Sequence, residues 1–334
     1  MLQSNRATSA LIALAAAAAF AGCSSAASPI GALTSATVNG SELGGSAGLR
    51  MLRRATSPTL HGWLSPEART KPSIYVSDYD ASAIEIYPQG KSSPSPIGAI
   101  TDGIGGPLGN FVDAHGTLYV ANGSNNTVTE YPRGSTSPSV TLSTGISGPI
   151  SVAVDSKGTV AVGEFANQTI LEFPAGSSSP TVTITLLTYP EGLAFDHSRH
   201  LYAAWNQNSS GFVGRVSRCQ RLQNVCVDRG ITEGQSGGLA IDESGDLILG
   251  DQANKAINIY APGSTTPTRT ISTTGHDPYK FALNKGEKRL YVADINNGQV
   301  ITYDYATGSQ TGTISTGLQS AWGVSLDPPA KYGP

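Results

Sequence analysis

The sequence predicts an all-β chain folded as a six-bladed β-propeller with four-stranded blades, the ring closed by a C-terminal strand that completes the N-terminal blade. Three observations carry this expectation: a β-branched run that recurs at near-constant spacing, a second run at a fixed offset from it, and two chain ends that each supply part of one unit. With Tyr119 in Leu118-Tyr119-Val120-Ala121-Asn122 as anchor, the equivalent residues are Tyr75, Ala161, Tyr202, Ile248 and Tyr291. Successive intervals are 44, 42, 41, 46 and 43 residues.

Each element of the unit has its own signal. Tyr87, Tyr131, Phe173, Tyr260 and Tyr303 each stand 12 residues after their anchor, at the end of a second strand. Turn-rich stretches follow at 90–94, 134–138, 176–180 and 263–267, then a short alternating run such as Ser139-Val140-Thr141-Leu142. Gly, Ser and Pro suit those turns because they supply left-handed or fixed backbone angles and local hydrogen bonds. Six residues before most anchors an Asp closes another apolar run: Asp113, Asp155, Asp196 and Asp242, with Asn284 one residue further from its anchor in the last unit. That makes four strands per unit, the number in a propeller blade. The first unit lacks its apolar-run-plus-Asp strand, and Gly323-Val324-Ser325-Leu326-Asp327 supplies it after the sixth unit ends. Closing the ring removes exposed sheet edges that would pair with other chains.

Leu290 to Val300 and Leu118 to Val128 resemble NHL and YVTN-type propeller repeats, with Asp or Asn three residues after the anchor and Asn six after it. The resemblance spans about residues 71–328 and implies the propeller fold. Thr127, Thr169 and Gln299 stand where the usual NHL unit carries a basic residue, so the chain departs from the basic members that bind RNA.

Arg6 precedes an apolar run from Ala10 to Phe20 that is too short to span a bilayer and fits a signal-peptide core. Ala21-Gly22-Cys23 resembles a bacterial lipoprotein cleavage box. Residues 1–22 are therefore expected to be a lipoprotein signal peptide and Cys23 the lipidated first residue, with ordinary export as the alternative. Lipidation implies an exported protein anchored to the bacterial envelope. Ser24 after the Cys favours the outer membrane, on its periplasmic side or at the cell surface. Residues 23–70, rich in Ser, Ala, Gly and Thr, read as a flexible tether reaching on the order of 35–40 Å. The propeller is assigned to 71–334. Cys219 and Cys226 fall in the longest unit and are expected to join as a disulfide in an oxidising compartment, the alternative being a redox or metal pair.

Charged residues make up 13% of the chain, and the net charge is −3. With no basic stripe, nucleic acid is not an expected partner. A monomer is expected. Candidate ligand groups lie at the channel mouth: Asp78, Asn122, Glu164, Trp205, Asp251 and Asp294 after the anchors, and Asn110, Ser151, Glu191, Gly238, Lys280 and Trp322 just before the inner strands. On one reading Glu164, Glu191, Asp251 and Asp294 hold a Ca²⁺-type cation that polarises a substrate carbonyl, as the comparison with six-bladed gluconolactonase-type hydrolases implies. On the other, which repetition in nearly every blade favours, these groups bond to their own turns.

The units that depart from the repeat are more informative. Trp205, Asn206 and Gln207 in the fourth, His276, Tyr279 and Lys280 at the fifth-to-sixth junction, and Trp322 are expected to form a surface for a protein, peptide or glycan, the aromatics stacking and the amides hydrogen-bonding. A general-base role for His276 beside Asp277 is outweighed by a plain loop role. No catalytic residue is assigned. The expected function is a non-catalytic binding scaffold without cofactor, and the alternative is a metal-dependent hydrolase or lactonase.

Overall fold

The computed structural model describes residues 62–186, 188–208 and 212–330. The leader, Cys23 and residues 24–61 lie outside them. The described chain forms six antiparallel sheets, five of four strands and one of five. From the axis outward the second blade runs Pro107–Val112, Leu118–Asn122, Thr127–Tyr131 and Val140–Leu142. The inner strands of the third to sixth blades are Pro149–Val154, Pro190–Phe195, Ser236–Ile241 and Pro278–Leu283. All are buried along their full length, because each packs against its counterparts in the blades on either side.

The first blade is closed as expected. Ala321–Asp327 is its inner strand, paired antiparallel with Ser73–Asp78 in the register Ile74↔Leu326, Val76↔Val324 and Asp78↔Ala321. The sheet also carries an outermost strand, Trp63–Leu64, paired with Ala99 and Gly98. A one-turn helix, Pro66–Thr70, follows: the Ser65 side chain accepts from the Ala68 N–H, and Pro66 occupies a first-turn position where no amide is needed. Residues 63–70, assigned to the tether on composition, are therefore part of the first blade. Ala68 is buried among Ile84, Ile86 and Val120. The Ser-Pro helix start is the local signal that the average composition of 23–70 concealed.

Among the described residues the apolar core is divided. Six apolar clusters each join one pair of neighbouring blades, for example Val76, Tyr87, Tyr291, Val300 and Leu326 between the sixth and first. Near the axis the inner strands approach so closely that a Cβ on Gly192 would lie 2.6 Å from the Leu239 nitrogen, and one on Gly323 2.4 Å from the Leu108 carbonyl oxygen. Glycine is required there by space.

The fourth blade departs from the repeat. Its second, third and fourth strands, Leu201–Asn208, Phe212–Cys219 and Cys226–Glu233, are eight residues each. Cys219 and Cys226 face each other across the last pair and form the expected disulfide. The hairpin they tie reaches the third blade. The Leu222 N–H donates to Glu172, Arg221 donates to Thr159 Oγ1 at 3.1 Å, and the Arg221 Nε lies 3.6 Å from Asp155.

Candidate functional site at the two mouths of the ring

In every blade but the fourth, the residue three positions after the anchor ends the second strand at one mouth of the ring. In five blades its side chain accepts hydrogen bonds from the loop that enters the same blade's inner strand. Asp78 accepts from the Gln319 and Ser320 amides at 2.8 and 3.0 Å, Asn122 from Gly105 at 3.1 Å and Glu164 from Ser147 at 2.6 Å. Asp251 accepts from Gly234 at 3.0 Å, and Asp294 from Asp277 at 2.9 Å. The Asn three residues on completes the clamp in the fifth and sixth blades, Asn254 donating to Asp251 and Asn297 to Asp294, both at 2.7 Å. The next residue holds the left-handed turn: Ser82, Asn126, Gln168, Lys255 and Gly298 all have positive φ.

These clamps set the titration of the carboxyls. Burial lifts Asp78 to about 6, outweighing its backbone hydrogen bonds. Burial also works to raise Asp251 and Asp294, but there the hydrogen bonds together win and hold both below the usual carboxylate range. Glu164, Glu191, Asp251 and Asp294, named above for a cation, each engage separate partners. Among the described residues no three His, Cys, Asp or Glu side chains stand together in a group able to hold a metal. Replacing Asp251 with Ala orphans the amides of Gly234 and Asn254 and the Asn254 side chain, and is expected to cost roughly 2–4 kcal/mol. A melt with chelator and with added Ca²⁺ checks the assignment. The clamp predicts the same loss in both, whereas a ligand role predicts a loss only with Ca²⁺.

Glu191 and Lys280 lie within inner strands rather than before them, and they face the axis. Tyr279 donates to Glu191 Oε2 at 2.8 Å, and the Lys280 ammonium donates to the Glu191 carbonyl, 4.0 Å from the same carboxylate oxygen. Burial pushes Lys280 down to about 8 against the pull of Glu191, and pushes Glu191 and Tyr279 up. Glu191 and Lys280 border an axial void of about 30 Å³ lined also by Asn110, Ser151 and Gly238. That is water-sized.

The expected aromatic surface is not a surface. Trp205 is 6% exposed and Trp322 0%. Trp205 donates its indole N–H to Ser217 Oγ at 3.0 Å, and Trp322 donates to Ser320 Oγ at 2.8 Å. Asn206 is buried as well, bonded both ways to the Ser236 backbone, so it links the fourth blade to the fifth. Gln207 is half-buried. His276 contacts Asp294 through Nδ1 at 2.7 Å, which makes it a member of the sixth-blade clamp. Tyr279 and Trp322 meet edge to face with centroids 5.4 Å apart and, with Tyr79, Leu108, Ile150 and Ile295, cap this mouth. The half-buried aromatics at the cap are Phe165 and Tyr189, stacked at 4.2 Å. Sequence reasoning passed over them. Phe165 stands four residues after its anchor, as do Tyr79 and Ile295, and that offset was the available signal.

At the opposite mouth the Asp that follows the inner strand of the second, third and fourth blades accepts from the amides two and four residues on: Asp113 from His115 and Thr117, Asp155 from Lys157 and Thr159, Asp196 from Ser198 and His200. A cavity of about 550 Å³ lies among these turns, walled on one side by Pro329 and Ala330.

No protein-family model and no curated protein matches this sequence. Among solved structures the chain is similar to one in the "Crystal structure of Nidogen/Laminin Complex", with a TM-score of 0.60 and 17% identity over 76% of this chain and 98% of that one. Identity this low speaks for the architecture alone, and the architecture is that of a six-bladed β-propeller.

Proposed function

We propose that this chain is an exported propeller, lipid-anchored at Cys23 to the bacterial envelope, that serves as a non-catalytic scaffold for a protein partner docking on the fourth blade. The observation that carries the reading is Val225 and Val227, 49% and 61% exposed on the disulfide-tied hairpin. Val227 sits opposite Arg218 in the sheet. Arg199, Arg215, Arg218, Arg221 and Arg229 crowd this blade, with Asp155, Asp196 and Asp228 as ion-pair partners of the first four, in a chain of net charge −3. Apolar side chains ringed by surplus arginine suit a partner face that is apolar at its centre and acidic at its rim. The disulfide agrees with an oxidising compartment. The fold neighbour is drawn from a protein–protein complex, which agrees with a scaffold role.

The test is photo-crosslinking from residue 227 in cells that make the full chain. A discrete protein adduct is expected, reduced at least about fivefold by Val225→Asp while the melting temperature of the chain is unchanged. Absence of an adduct at 227, or an adduct indifferent to that change, overturns the docking site. Cys23→Ser is expected to abolish palmitate incorporation and release the chain from membranes; retained labelling would refute the anchor.

A further inference from the structure

A cleft of about 380 Å³ lies where the first blade meets the sixth, within the roughly 300–1,000 Å³ usual for small-molecule sites. Three segments build it. Lys71 and Pro72 follow the one-turn helix, Gln89, Gly90 and Lys91 form the turn that leaves Ala83–Pro88, and Asn284, Arg289 and Tyr291 come from the sixth blade. Hydrogen bonds fix the backbone of each. The Lys71 N–H donates to the Glu67 carbonyl at 2.9 Å, the Gln89 N–H to the Pro72 carbonyl at 3.0 Å, and the Arg289 N–H to Asn284 Oδ1 at 2.8 Å.

The charge of the lining is one-sided. Lys71, Lys91 and Arg289 stand against Glu67 alone. Both lysines are exposed and Arg289 is half-buried, and among the described residues no ion pair engages any of these four side chains. Asp304 lies opposite Arg289 in the sheet but outside the lining, and its Oδ1 accepts from the Thr307 amide and hydroxyl at 2.8 and 2.9 Å. Counting Asp304, three cations still face two acids, in a chain whose net charge is −3. Like charges gathered around a concavity focus a positive field into it, so an entering anion is favoured. Cations from three segments suit a group with several acceptor oxygens and more than one negative charge, which describes a phosphate monoester better than a carboxylate.

We propose that this cleft binds a phosphate monoester, free or as the headgroup of an anionic lipid, with the phosphate between Lys71, Lys91 and Arg289. It shares no residue with the docking surface on the fourth blade.

The full chain in nonionic detergent is titrated into glycerol 3-phosphate, into the zwitterionic glycerophosphocholine and into dioctanoyl phosphatidic acid held in the same micelles, and the phosphorus line widths are followed by NMR against detergent alone. Saturable broadening of a monoester is expected, with glycerophosphocholine at least about tenfold weaker and the monoester affinity falling as salt is raised. Phosphatidic acid at least about tenfold tighter than glycerol 3-phosphate assigns the site to a lipid headgroup, and any smaller ratio to a soluble ester. Lys71→Glu with Lys91→Glu should weaken the monoester at least about tenfold at an unchanged melting temperature, since both residues are exposed, whereas Lys157→Glu in the third blade should weaken it less than about twofold. No saturable binding of either monoester, equal binding of the zwitterion, a doubly reversed variant that binds like the parent, or an equal loss with Lys157→Glu each overturns the proposal.

Discussion

A chain ending at Ser320 is expected not to melt cooperatively. The missing strand carries Ala321, Trp322, Val324 and Leu326, each 1% exposed or less. Burying three large apolar side chains is worth about 5–9 kcal/mol, comparable with the whole stability of a typical domain. The loss extends beyond the strand. Val324 and Leu326 belong to the cluster that joins the sixth blade to the first, Trp322 to the cap over one mouth, and Asp327 is the ion-pair partner of Arg133 in the second blade. Ser73–Asp78 would become an open edge with its register partners gone. Near-UV circular dichroism and a thermal melt check this directly. A sharp transition near that of the parent would mean that five complete blades and one partial blade can fold alone, and the closure argument would fail.

The second large expected effect is that the propeller is more stable at pH 5 than at pH 8. Burial lifts Glu85, Glu172 and Glu233 to about 7, with further upward push on Glu85 from Asp78. Asp78 rises to about 6 for the same first reason. Between the ordinary carboxyl value near 4.5 and these raised values the folded state binds more protons than the unfolded one. The stability they contribute is complete below about 4.5 and is lost as pH rises through about 7. Asp251 and Asp294, held low, oppose this only in stronger acid. Glu85→Gln, which removes a charge from a side chain 6% exposed, should raise stability at pH 8 by an amount on the order of 1–3 kcal/mol and do little at pH 5. Melting curves of parent and variant across that range decide it. A parent whose melting temperature climbs steadily from pH 5 to 8 would refute the assignment.

The mouths show how far a sequence can be taken. The ring of Asp, Asn and Glu after the anchors was legible as backbone-binding chemistry because the pattern repeats, but the amides common to it, those of Gln319, Gly105, Ser147, Gly234 and Asp277, lie in the loop that enters the inner strand and not in the group's own turn. The disulfide was legible because Cys219 and Cys226 interrupt a turn whose position the repeat defines. Trp205 and Trp322 misled. Both sit beside polar residues in irregular units, which suggested exposure, and both instead are buried and donate to a buried Ser. The small strand and helix of 63–70 were hidden inside a tether-like composition.

By itself the sequence determined the number of blades, their four strands and the circular closure, because each rests on spacing along the chain: a strand of given length followed by a turn of given chemistry must recur at a given period. Only the tertiary structure decided which groups meet solvent. In a ring every blade buries both faces against its neighbours, and exposure is set by residues some 40 positions away. Thus Lys280 faces Glu191 across the axis, Arg221 reaches Asp155 in another blade, and turns of three separate blades line one cavity.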